Sequence, residues 1–328
     1  MTARSTPLVS FVVPCYNYAR YLPDCLNSIF AQEGGYDFEI IVIDDGSTDS
    51  TQAVLRTFAD PRLRVITHPV NLGHAATINE GLSQARGQFI ARIDPDDRYR
   101  PYFLSTVLPI LEAFPEVGLV YGDAALINER GEITVERSDR VHGGRDFKGN
   151  EFVHLLEENF ICSPTVIARR EAWLQALPVP EGLAFHDWYF TLMIARRYEF
   201  YYIDRVLAEY RVHPDNWHAH VVRQKTEESS IFWLLDRIFG ETETDPELEI
   251  RKQKARNRIY GAHYLTMGRK YFGFGMDSDA RRCLLRAIRY RPEYLFRSDL
   301  LRWLMATYVG RKRYEAVKAL VKAASSRG

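Results

Sequence analysis

Gln88-Phe-Ile-Ala-Arg-Ile-Asp-Pro-Asp-Asp97 decides how the rest of the chain is read. Phe89 to Ile93 is short and largely apolar, the pattern of a buried strand. Pro95 ends that strand and holds its predecessor extended. Asp94, Asp96 and Asp97 then put three carboxylates into four residues. Like charges this close repel unless something positive sits among them. A divalent ion carrying a phosphorylated ligand meets that need, because Mg2+ or Mn2+ takes one or two carboxylates, waters and phosphate oxygens. In open α/β sheets, ligands bind beyond the carboxyl ends of strands, where this cluster falls.

The flanking sequence repeats the theme of a strand followed by a helix. Apolar runs at 8–13, 38–43 and 64–67 predict three further strands, the first ended by Pro14. Helices are expected over 19–32, 50–58 and 75–85, with Gly34-Gly35 stopping the first. This alternation implies βαβ units and a mostly parallel sheet with helices on both faces. Beyond Asp97, a helix is expected over 100–114, a strand over 117–121, and hairpin and loop over 122–147. A helix at 151–158, an extended segment at 162–168, a helix at 185–197 and a strand at 200–203 follow, and Ala208-Glu-Tyr-Arg-Val-His213 closes this unit.

From Asp215 on, the pattern is helical: 217–239, 248–271, 277–290 and two shorter helices reaching 324. Glu241-Thr-Glu-Thr-Asp-Pro-Glu247 reads as a solvated acidic linker. Residues 264–292 have the spacing of a single tetratricopeptide-like hairpin, too little for a repeat array. The expected organisation is therefore a catalytic domain over 1–214 and a basic helical domain over 215–328, with a linker at about 240–248.

With 328 residues, 46% of them apolar, the chain is large enough for two globular units. No apolar run of about 18 residues occurs, so no membrane-crossing helix is expected. Residues 1–7 lack an apolar signal core, so a secretory leader is not expected. Cys15, Cys25, Cys162 and Cys283 are scattered, which suits reduced thiols in a cytoplasmic protein and not a zinc site built on cysteine. Net charge is zero, but residues 251–328 hold 20 Lys and Arg against 5 Asp and Glu, a net +15, leaving −15 on residues 1–250. Such a tail suits an anionic membrane surface on its inner face. An acidic protein partner, or the acidic unit of its own or a second chain in a homo-oligomer, suits it equally. No recognition motif accompanies the charge, so nucleic acid is not an expected partner.

Taken in order, Val13-Pro-Cys-Tyr-Asn17, Ile43-Asp-Asp-Gly-Ser47, Asn71-Leu-Gly73, Asn79-Glu-Gly81, Asp94-Pro-Asp-Asp97, His186-Asp-Trp188 and Tyr210-Arg-Val-His213 resemble the inverting family 2 glycosyltransferases of GT-A fold. The resemblance covers about residues 7–214 and leaves out the tail. It implies a GT-A, Rossmann-like domain that moves a sugar from a nucleotide-diphosphate sugar, UDP favoured and dTDP the alternative. The acceptor would be a hydroxyl of a glycan or polyprenyl-linked molecule in cell-surface polysaccharide assembly.

The resemblance also implies roles. Pro14, Tyr16 and Asn17 would meet base and ribose, and Asp45 would accept the N3–H of the pyrimidine, with Asp44 the structural member of the pair. Asn71 and Gly73 would shape the loop facing the diphosphate. Asn79 belongs to the donor set, although Ile78 stands where the family often has an arginine. Asp94 would orient the site, Asp96 would meet ribose and metal, and Asp97 and His213 would complete the ligands of Mn2+ or Mg2+. Asp187 would be the general base and Trp188 a stacking face for sugar. Two competing readings are a nucleotidyltransferase, whose Gly-rich basic phosphate loop is missing at Pro14-Cys-Tyr-Asn17, and a non-catalytic nucleotide-sugar binder.

Overall fold

Four apolar runs of the N-terminal half become neighbours in one sheet: Val9–Cys15 (β1), Phe38–Asp44 (β2), Leu63–Thr67 (β3) and Phe89–Arg92 (β4). All pair in parallel, in the order β3-β2-β1-β4. β1, β2 and β4 are buried at every residue, as strands covered on both faces must be, while edge strand β3 is partly exposed. Helices Leu22–Phe30 (α1), Thr51–Leu55 (α2) and His74–Gln84 (α3) carry the crossovers. Pro14 does not end β1. It lies past Val12, the last residue of β1 paired with β4, in a stretch that pairs with β2 alone.

This computed structural model describes residues 6–138, 141–213, 225–310 and 314. The chain divides into two units, Met1–Leu155 with Asn159–Asn216, and Leu156–Glu158 with Trp217–Gly328. In the first, Arg98–Tyr99 (β5) and Phe103–Ala113 (α4) follow the acidic cluster. Val117–Ile127 (β6), Ile133–Val135 (β7), Phe147–Gly149 (β8), Phe152–Glu157 (α5) and Ile167–Arg169 (β9) come next. Arg170–Gln175 (α6), His186–Ala195 (α7) and Glu199–Arg211 (β10) complete the series. The sheet continues β4-β9-β6-β10-β5, with β9 antiparallel to both its neighbours and β6 parallel to β10.

β6 and β10 are much longer than their apolar runs. Gly122-Asp123 and Asp204-Arg205 read as breaks, yet β6 and β10 stay paired through them by shifting register around Val206. The buried Asp123 carboxylate is met by the Tyr202 hydroxyl at 3.0 Å and by Arg137, so the polar residue is tolerated inside the sheet. Long-range pairing here overrides local propensity. α6 carries no strong sequence signal and was not expected.

In the second unit, helices Thr226–Gly240, Pro246–Gly273, Asp277–Tyr290 and Ser298–Val309 are described. The expected helices over 217–224 and beyond 310 lie outside the described residues, Tyr314 excepted. Residues 241–247 are mostly exposed, as a solvated linker should be, but Glu243 within them is buried and paired. Lys252, 0% exposed, reaches back to Glu243 at 2.9 Å and Glu249 at 2.8 Å, and donates to the carbonyls of Ile238 and Glu241. Asp245 caps the helix Pro246–Gly273 by accepting from the Glu247 N–H, with Pro246 in the first turn. Gly268 lets the helical hairpin close, since a Cβ there would lie 2.8 Å from Leu284. Three of the four arginines of Asp277–Tyr290 are engaged within this unit: Arg282 with Glu228 at 2.5 Å, Arg281 with the Thr307 carbonyl at 2.6 Å, Arg286 with the Tyr264 hydroxyl at 3.0 Å. The basic run at 311–318 lies outside the described residues, Tyr314 excepted. Among the described residues no helix is long and apolar enough to cross a membrane.

Candidate active site

The acidic cluster emerges where β4 stops. Asp94 is neutralised locally: Arg92, itself buried, donates to its Oδ1 at 2.7 Å and to Ser163 Oγ at 2.6 Å. Burial works to raise the Asp94 carboxyl, but the charge of Arg92 and the nearby His74 outweigh it and hold Asp94 low. Among the described residues, no arginine or lysine side chain bonds to the carboxylates of Asp96 and Asp97. Asp96, 8% exposed, places Oδ2 3.1 Å from His213 Nε2. Asp97, 1% exposed, accepts the Arg211 N–H at 2.8 Å on Oδ1, while its Oδ2 is buried without a partner among the described residues. Burial, then the charges of Asp96 and Asp94, push Asp97 well above the usual carboxylate range; burial and Asp94 also raise Asp96. The buried Nδ1 of His213 likewise finds no partner among the described residues.

Buried carboxylates short of positive charge, with an unsatisfied oxygen and an unsatisfied imidazole nitrogen beside them, fit a divalent ion. Asp96, Asp97 and His213 would hold it. They do not form a closed three-ligand set, because among the described residues only His142, Glu151 and His154 bring three ligand atoms within 4.8 Å of one another. A partial protein shell suits Mn2+ or Mg2+, which keep waters and phosphate oxygens as ligands.

α7 brings the candidate base to the same end. His186 Nδ1 lies 3.0 Å from His74 Nδ1, and His74 Nε2 lies 3.8 Å from Asp94 Oδ1, so a chain of side chains joins the start of α7 to the end of β4. Burial and then His74 push the His186 imidazole down to about 3. Asp187 stands in the first turn of α7 without capping it, and its Oδ2 accepts from Asn159 Nδ2 at 3.2 Å.

Other expected donor residues also make contacts within the fold. Asn17, at φ 60°, accepts from the Thr48 N–H at 2.8 Å and the Asp49 N–H at 3.3 Å, so its side-chain oxygen clamps the loop after β1 to the loop after β2. Asp45 is saturated: His68 Nδ1 lies at 2.6 Å, and the N–H groups of Leu72 and Gly73 donate at 2.8 and 2.9 Å. Burial would raise Asp45, but His68 and these two N–H groups hold it low. Asp44, expected to be the structural partner, keeps a buried Oδ2 with no partner among the described residues. Asp44 also serves the turn, its Oδ1 accepting the Ser47 N–H at 3.1 Å. Asn79 spends both ends of its amide on the Val179 backbone, at 3.1 and 2.8 Å, and is not presented to a donor. Trp188 is 2% exposed and donates its indole N–H to the Leu155 carbonyl at 2.7 Å, so it is core and not a stacking face.

Tyr16 and Asn71 are exposed and Pro14 is buried in β1. Gly73, at φ 92°, forms the N-cap of α3. Gly46 must be glycine: at φ 70°, a Cβ would lie 2.6 Å from the Val70 carbonyl carbon. Arg92 and Arg98 flank the acidic cluster in the sequence. Arg92 is the partner of Asp94, whereas Arg98 turns away to Glu209 and the Gly131 carbonyl. Arg211 was missed. It is buried and donates to the Asp96 carbonyl at 2.7 Å as well as to Asp97, fixing the cluster from β10. Only its place beside His213 in the sequence hinted at this.

A mostly parallel α/β sheet with an acidic cluster at its carboxyl edge is the architecture of a GT-A domain. The family model for glycosyl transferase family 2 matches residues 10–177, and the chain belongs to that family. A glycosyltransferase of Haemophilus influenzae is 33% identical over 48% of this chain and 46% of its own length. One from Nostoc is 26% identical over 68% of this chain and 70% of its own. Among solved structures, S. aureus TarS 1-349 in complex with UDP-GlcNAc superposes with a TM-score of 0.67 at 19% identity, covering 92% of this chain and 87% of that one. The mannosyltransferase PcManGT of Pyrobaculum calidifontis, in complex with GDP-Man and Mn2+, gives 0.60 at 19% identity over 93% and 87%.

Proposed function

We propose that this glycosyltransferase moves a sugar from a nucleotide-diphosphate sugar to a hydroxyl of a glycan or polyprenyl-linked acceptor, with inversion at C1. The observation that carries the reading is the unsatisfied pair, Asp97 Oδ2 and His213 Nδ1, buried beside Asp96 at the end of β4. A bound divalent ion would supply Lewis-acid charge to the diphosphate leaving group. Asp187 accepts the proton of the acceptor hydroxyl as that oxygen attacks C1, and the C1–O bond to the diphosphate breaks on the opposite side. Asn159 holds one oxygen of Asp187, and Arg92 keeps Asp94 charged and in place. One base and one leaving group imply a single displacement; a retaining mechanism through two close carboxylates is not needed.

UDP is favoured over dTDP because TarS holds UDP-GlcNAc, while the GDP-Man and Mn2+ of the mannosyltransferase support a nucleotide sugar and a divalent ion in general. A cytoplasmic enzyme peripheral to the inner membrane face, acting in polysaccharide assembly, fits the +15 carried by residues 251–328. Sedimentation with anionic vesicles at low salt tests that placement; a protein left in the supernatant rejects it. The chemistry is tested by Asp187→Asn: turnover should fall by roughly 10²–10⁴ with donor affinity kept within about twofold. An active variant, or a product retaining the donor's anomeric configuration, overturns the assignment.

A further inference from the structure

Away from the acidic cluster, a second group of side chains converges in the first unit. Glu151, 2% exposed, immediately precedes α5, and His154 follows three residues later in its first turn. His142 comes from the short 3-10 turn Val141–Gly143 that precedes β8. His142 Nε2 lies 2.5 Å from Glu151 Oε1, and His154 Nδ1 lies 3.1 Å from Glu151 Oε2. The three ligand atoms fall within 4.8 Å of one another. Atoms bound to one tetrahedral ion at about 2.0–2.1 Å stand about 3.4 Å apart, so small rotations would suffice to close on it.

Three features hold this arrangement in place. The Tyr121 hydroxyl donates to Glu151 Oε1 at 3.0 Å, the kind of outer contact that orients a ligating carboxylate. The two imidazoles are stacked on phenylalanines, His142 on Phe147 and His154 on Phe160, each with ring centroids 4.1 Å apart. His142 also adopts the left-handed conformation, φ 55° and ψ 26°, which a residue with a Cβ takes at some cost. That backbone strain places its ring over the buried carboxylate.

We propose that His142, Glu151 and His154 form a second metal site, for a zinc-type ion, independent of the ion at Asp96 and Asp97. Two imidazoles and one carboxylate are borderline donors that select Zn2+ over Mg2+ or Mn2+, whereas the cluster at β4 is dominated by oxygen. Binding takes as ligands, in their unprotonated form, the imidazole nitrogens that now face the carboxylate. The ion ties the turn before β8 to α5, and its remaining coordination positions are open to water.

The test uses the full chain, stripped with chelator and titrated with Zn2+ alone, then with Co2+ as a spectroscopic probe. One equivalent of Zn2+ should bind, survive a large excess of Mn2+, and give Co2+ protein with the visible absorption of a four- or five-coordinate nitrogen–oxygen site. His154→Ala, which alters an exposed side chain, and His142→Ala should each weaken Zn2+ binding at least 10-fold. Both should leave the Mn2+-dependent thermal shift with UDP intact. Asp97→Asn should do the reverse, so failure of this site and failure of the proposed function are separable. Absence of stoichiometric Zn2+ binding, or Zn2+ binding unchanged in both histidine variants, overturns the proposal and leaves a hydrogen-bonded cluster only.

Discussion

Asp97→Asn should make the metal-free protein more stable and reduce the stabilisation that the donor adds. Asp97 is buried beside Asp96 and Asp94, and one of its oxygens finds no partner among the described residues. Asparagine keeps an acceptor for the Arg211 N–H, removes a charge from a like-charged set, and offers an amide to a neighbouring carboxylate. An unsatisfied buried polar atom costs about 1–3 kcal/mol, and the substitution relieves one such atom. At roughly 2–4 °C per kcal/mol for a domain of this size, Tm in EDTA should rise by about 2–12 °C. Ligand binding works the other way. A donor with its ion at 100 times Kd stabilises the wild type by about 2.7 kcal/mol, and the variant should lose most of that. Thermal unfolding in EDTA, in Mn2+, and in Mn2+ with UDP measures both effects, and the variant's advantage should shrink by about 2.7 kcal/mol between the first and last condition. A variant that melts lower in EDTA would show that the Asp97 carboxylate serves the fold. A full Mn2+ and UDP shift in the variant would show that it is not a ligand. Either result refutes the reasoning.

Other substitutions probe the reassigned residues. Asn79→Ala should cost about 1–3 kcal/mol by urea unfolding, since it frees the Val179 backbone, while KM for the donor stays within about twofold. A large rise in KM at unchanged stability would return Asn79 to the donor site. Lys252→Ala removes the buried cation between Glu243 and Glu249 and should destabilise the helical unit by about 3–5 kcal/mol, read as an earlier helical transition in denaturant. His186 titrates at about 3 in the folded protein, against about 6.5 unfolded, so the native state binds fewer protons below that point. Stability should be full above about pH 6.5 and decline as pH falls toward 3, by on the order of 1 kcal/mol at pH 5.5. His186→Gln should flatten that slope, and an unchanged slope would place the acid sensitivity elsewhere.

The sequence by itself determined the parallel half of the sheet and the placing of the acidic cluster at its edge. β1, β2 and β4 are apolar throughout because both their faces are covered, and such runs show without any partner in view. Pro95 and Gly46 announce the turns that follow, since their φ values are set by the residue itself. Only the tertiary structure decided where β6 and β10 end, because their polar middles are stabilised by each other and by Tyr202 and Arg137. It also decided which polar side chains are spoken for. Asp45, Asn17 and Asn79 look like ligands in a motif, but residues about 20 to 100 positions away take their hydrogen bonds. A motif records the type and spacing of side chains, whereas availability depends on which distant donors the fold brings within about 3 Å.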